Sequence, residues 1–155
     1  MKDYDIKIEG ATEITVYGTN DDTVLFPASA KIDTDRNKFD VDVEGVAEVR
    51  IGIPCACEKL EIACGNAALT VRDLTFEDLE IDGKGDLKIA VSNIRGAVQI
   101  NLLKGTAALT VPEEYSFRTF NKGRGCRIEN SIAEDPSSEN TIELNGKDSV
   151  LTIAK

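Results

Sequence analysis

The sequence predicts an all-β fold, a β-solenoid whose coils run about twenty residues each. Two observations carry it: side chains alternate with a period of two along most of the chain, and similar lines return at a constant spacing. Such lines begin at Leu60 (LEIACGNAALTVRDLTFED), Leu79 (LEIDGKGDLKIAVSNIRGA) and Val98 (VQINLLKGTAALTVPEEYS), 19 residues apart, and a looser one follows at Phe117 (FRTFNKGRGCRIENSIAED). Each opens apolar–polar–apolar, turns at a glycine-bearing corner and alternates again. The phrase GNAALTV at residues 65–71 returns as GTAALTV at residues 105–111, with another line between. Stacked parallel strands lie about 4.8 Å apart, so equivalent positions form columns with the same packing demand. Ala67 with Ala107, Leu69 with Leu109 and Val71 with Val111 suit such columns.

The segments before residue 55 alternate with less repetition: YDIKIEG, TEITVYG, DTVLFP, KFDVDVEG and AEVRIGIP, separated by turn residues. They are expected to be a strand-rich N-terminal cap over residues 1–45, followed by repeated coils over 46–139. After PSSEN, TIELNGKDSVLTIAK adds C-terminal strands over 140–155. Corners at Gly65-Asn66, Gly83-Lys84-Gly85 and Asn121-Lys122-Gly123 hold the residue types that tolerate positive φ. No Pro/Ser-rich linker divides the chain, so a single domain over 1–155 is expected. Short strands with regular turns also build a β-sandwich, which is the alternative fold.

Composition narrows the chemistry. In 155 residues there is no histidine, which removes the commonest general base and metal ligand. With 18 basic and 28 acidic residues the formal charge is −10, a surface that repels nucleic acid and anionic membranes. No apolar run is long enough to span a bilayer. The start, MKDYDIKIEG, has no apolar stretch behind its lysine and so does not read as a signal peptide; a cytoplasmic location is expected for the chain as given. Without an export signal, Cys55, Cys57, Cys64 and Cys126 are expected to be reduced, packed as small hydrophobes and not as a zinc set.

The strand-rich start EITVYGTNDDTVLF…NKFDVDVEG, the proline-ended strands VRIGIPCACEKLEI and LTVPEEYSFRTF, and the glycine-cornered DGKGDLKIAVSNIRGAVQI and NKGRGCRI resemble the bacterial putative-adhesin β-helix domains, a family mostly of unknown function. The resemblance covers the chain from about Asp5 to its end. It implies a right-handed parallel β-helix with an N-terminal capping section. It implies no catalytic residue, and its adhesin label implies a cell-surface location for an exported parent chain; no cofactor is expected.

Three clusters are candidate sites. Residues 33–44, DTDRNKFDVDVE, match the spacing of an EF-hand loop at Asp33, Asp35, Asn37 and Glu44, but Lys38 stands where that loop needs glycine and no helix flanks it. Asp40, Asp42 and Glu44 share one strand face and are weak Ca²⁺ ligands at best; a solvated acidic face explains them as well, and no metal is expected. The basic stretch FRTFNKGRGCRI brings Arg118, Lys122, Arg124 and Arg127 together without an acid. These side chains suit a carboxylate, phosphate or sulfated sugar, with Tyr115, Phe117 and Phe120 nearby for stacking. The apolar C-terminal VLTIAK makes Leu151 and Ile153 candidates for self-association through an end coil. With no phosphate loop, no histidine and no placeable carboxylate pair, the expectation is not an enzyme. It is a structural or interaction module that contacts a protein partner or itself, with carbohydrate or anionic-ligand binding as the alternative.

Overall fold

A computed structural model describes residues 1–155 as an all-β molecule built from one curled sheet. In one wall the strands lie in the order β4 (Lys38–Glu44), β1 (Asp3–Glu9), β6 (Ala56–Gly65), β7 (Ala68–Thr110), β10 (Thr141–Lys147) and β8 (Arg118–Asn121). The other wall runs β5 (Glu48–Pro54), β2 (Glu13–Thr19), β7, β11 (Val150–Ala154) and β9 (Arg127–Asn130). β7 bends through both walls repeatedly, which is why one strand spans 43 residues. Ladders within the walls are parallel; β3 (Lys31–Asp35) pairs antiparallel with β4, so the sheet is mixed.

Two strands and the corner between them make a rung. The corner is sharp enough to demand a positive-φ residue in every rung: Gly45, Gly10, Gly65, Gly85, Lys104, Asp148 (with Gly146 beside it) and Gly125. At the same corner the rungs approach closely, since a Cβ on Gly105 would sit 2.1 Å from the Gly85 carbonyl oxygen. Between the walls lies one continuous aliphatic core, including Ile6, Ile14, Val16, Ile51, Leu60, Ile62, Leu69, Ile81 and Ile100. The in-register alanines and leucines of the two repeated phrases, Ala67, Leu69, Ala107 and Leu109, are buried in it. Each fully buried Leu or Ile adds about 1.5–3 kcal/mol to folding.

Spatial order departs from chain order at both ends. β1 lies between β4 and β6, with Ile6 opposite both Val41 and Ile62, so the first strands form an interior rung. The end of the stack is instead the rung of β4 and β5, covered by residues 20–37: Phe26 and Ala30 pack on the core, and Leu25 forms an antiparallel bridge with Gly52. DTVLFP, expected as a strand, contributes only that bridge, and the strand proper is Lys31–Asp35. At the far end β10 and β11 insert between β7 and the last rung of β8 and β9.

Candidate interaction surfaces

Outward-facing residues of the first wall fall into rows across the strands. The central row is acidic: Asp33, Asp40, Asp5, Glu61 and Glu80 are successive neighbours. At about 4.8 Å per step such a row repels itself unless cations intervene. The flanking rows supply them. On one side Asp35, Lys38, Asp3, Lys59 and Asp78 alternate in sign; on the other Lys31, Asp42 and Lys7 do. Lys59 Nζ lies 2.9 Å from Glu61 and 3.8 Å from Glu80. Burial and the neighbouring Glu61 charge raise the Asp5 carboxyl above its ordinary value, while the hydrogen bond from Lys59 lowers Glu61. Amides then take over: Asn101 Nδ2 donates to Glu80 and to Asp82, both at 2.7 Å. Asp40, Asp42 and Glu44 thus belong to separate environments. Asp40 lies between Asp5 and Asp33, Asp42 between Lys7 and Lys31, and Glu44 beside Glu9.

The basic residues of the 118–127 stretch are spread over the last rung and do not converge. Arg118 and Lys122 flank Phe120 on the first wall, with the Arg118 guanidinium 5.4 Å from the Phe120 ring centroid. Lys122 Nζ is 2.7 Å from Glu143, and that hydrogen bond holds the Glu143 carboxyl below its usual range. Arg127 pairs with Glu129 at 2.9 Å on the second wall. Arg124 sits at the corner, where its backbone bonds Gly146 and Asp148 and its side chain has no ion-pair partner. Phe120, which is 42% exposed, closes the row Glu80, Gln99, Glu143.

This end of the stack is capped on its β8 side. Inward positions of β8 are polar (Thr119 and Asn121, opposite Ile142 and Leu144), and Glu134 accepts from both the Thr119 amide and its hydroxyl. The Asn121 side chain caps the Cys126 carbonyl at 2.8 Å, and Asp135 N donates to Phe117 O at 2.9 Å. Residues 134–138 therefore fold back along β8 and its lead-in, and both strands of the rung are only four residues long. Leu151 and Ile153 are not at this edge. They are 0% exposed, on a strand hydrogen-bonded on both sides, and the expectation that they form a contact surface is corrected accordingly.

The opposite end, covered by residues 20–37, keeps one free strand edge, that of β3. Asn37 O accepts from Asp3 N, and Gly45 N donates to Glu9 O, so odd-numbered residues of β4 point their backbone groups at β1 and even-numbered ones at β3. Lys31, Asp33 and Asp35 thus form the hydrogen-bonded pairs with Asp42, Asp40 and Lys38, and the N–H and C=O of Ile32 and Thr34 point outward without a partner. Ile32 is 46% exposed and Leu25 49%, the two apolar side chains uncovered at this end. In the sequence this edge is masked, because KIDTD is as polar as a loop and the acids of residues 33–44 also match metal-ligand spacing. The signal was the hairpin itself: two alternating runs joined by Arg36-Asn37, with Arg36 at positive φ.

Among the cysteines, Cys57 and Cys64 are core residues whose thiols burial pushes up to about 11; Cys55 is exposed and Cys126 half-buried. Inside the core Tyr4 stacks on Phe39 at 5.2 Å, and its hydroxyl has no hydrogen-bond partner.

No protein-family model matches the chain. No curated protein matches it either. Among solved structures it is similar in fold to the crystal structure of a "putative cell adhesion protein" from Clostridium sporogenes, at 14% identity and a TM-score of 0.57, over 98% of this chain and 92% of that one.

Proposed function

We propose that the protein is a non-catalytic structural and interaction module, a parallel β-solenoid that acts by presenting its end and its walls to partners. The observation that carries the reading is the difference between the two ends. One is capped over β8 by Glu134 and Asp135; the other leaves Leu25, Ile32 and the outer edge of β3 in solvent. The charges on that short edge, Lys31, Asp33 and Asp35, discourage pairing with unrelated strands, so a partner has to match their order. A right-handed winding fits the handedness of nearly all parallel crossovers. The fold shared with the Clostridium protein supports an adhesion-like role in the same broad sense. Substituting Leu25→Asp should abolish association with itself or a partner in sedimentation velocity, with unchanged circular dichroism. Association that survives it would remove that end from the account.

A second reading has its own observation. Phe120, with Arg118 and Lys122 beside it and Glu143, Asn145, Gln99 and Asn101 on the next strands, gives an exposed ring bordered by planar hydrogen-bonding groups. That composition suits a sugar ring, including an acidic one. Binding to an acidic-glycan panel that disappears in Phe120→Ala would support it, and an empty panel would end it.

A further inference from the structure

We infer that the free edge of β3 is a homodimer interface, in which β3 of a second copy adds antiparallel, centred on Ile32. This rests on the reading that the end bearing β3 is a contact surface and names its occupant. The backbone supports it first. Ile32 points its N–H and C=O away from β4, so two copies related by a twofold axis can exchange both hydrogen bonds between their Ile32 residues. Side-chain chemistry then selects this register. With Ile32 opposite Ile32 of the second copy, Lys31 falls opposite Asp33 on both sides of the axis. These are the closer-spaced, non-hydrogen-bonded pairs, where opposite charges attract most. A register centred on Asp33 instead sets Asp33 against Asp33.

The wall gives an independent reason. Its acidic row runs Glu80, Glu61, Asp5, Asp40 and Asp33 and stops at the edge without a cation in line. In the proposed register the next position of that row is Lys31 of the second copy. On the core side, Ile62, Ile6, Val41 and Ile32 form an apolar row that ends in a half-exposed isoleucine, and the second Ile32 covers it. The surface is self-complementary in hydrogen bonds, charge and apolar contact, which identifies a second copy as the occupant. Because the pairing is isologous, it uses the β3 edge of both copies, and association through this edge stops at two.

The test is sedimentation velocity on the full chain from about 10 µM to about 1 mM, the range of small, transient interfaces. Wild type should show a concentration-dependent dimer. Lys31→Glu and Asp33→Lys should each weaken it about tenfold by opposing like charges, and the double variant should restore it. Urea unfolding of each variant checks that the fold is intact. A double variant no better than either single one overturns the register. Dimerisation unchanged in Ile32→Asp overturns the edge. Wild type that stays monomeric throughout overturns self-pairing, while loss of partner or glycan binding in Leu25→Asp or Phe120→Ala would still be read separately for the broader function.

Discussion

Replacing Ile153 by alanine tests the order of the rungs. Ile153 is 0% exposed, on a strand flanked by Leu109 on β7 and Asn130 on β9. The substitution removes three carbons, about 2.4 kcal/mol of transfer free energy at ~0.8 kcal/mol each. Rungs held on both sides cannot collapse onto the space, so a cavity term brings the loss to about 3–4 kcal/mol. With a urea m-value of about 2 kcal/mol/M for a chain of this size, the midpoint should fall by about 1.5–2 M at unchanged m. Thr152, the outward neighbour on the same strand, is the control, and Thr152→Ala should stay within about 0.5 kcal/mol of wild type. If Ile153→Ala moved the midpoint no more than Thr152→Ala, β11 would be a peripheral strand and the inserted order would be refuted.

Three further outcomes follow from the interior and the acidic wall. Tyr4→Phe should raise stability by about 1 kcal/mol in the same assay, because it removes a buried hydroxyl that has no partner. Iodoacetamide at pH 8 should label Cys55 and then Cys126 in the native protein and spare Cys57 and Cys64, whose buried thiols are pushed up to about 11; mass spectrometry of tryptic peptides reads this directly. Asp5→Asn should stabilise the protein at pH 7 and not at pH 3. Burial and Glu61 raise the folded-state pKa of Asp5, so the folded chain holds that proton more tightly; the stability this confers is present below the ordinary value of 3.8 and lost as pH rises through the folded-state pKa. Thermal melts at the two pH values check the sign.

Strand content was legible in the sequence because alternation is a local property, as in Leu60, Ile62, Leu69 and Val71, which the core indeed buries. The nineteen-residue lines were legible because β6 and β7 stack in chain order, pairing Leu60 with Leu79. The order at the ends was not. Ile6 meets Val41 and Ile62, residues 35 and 56 positions away, and any of the aliphatic strands offers the same surface to a neighbour. Nothing local distinguishes an interior Leu151 from a terminal one. The basic stretch was visible as composition, but its partners were not: Lys122 finds Glu143 only because β10 returns beside β8. β3 was hidden for a different reason, since Lys-Ile-Asp-Thr-Asp is polar enough to pass for loop and becomes a strand only against β4.

The central claim is that this molecule makes contact with a second copy through the free edge of β3. Sedimentation velocity of the wild-type chain over a wide concentration range addresses it most directly. The account predicts a monomer–dimer equilibrium that saturates at two copies and is lost in Ile32→Asp. A single monomer boundary at every concentration, or growth past the dimer into longer assemblies, would contradict it.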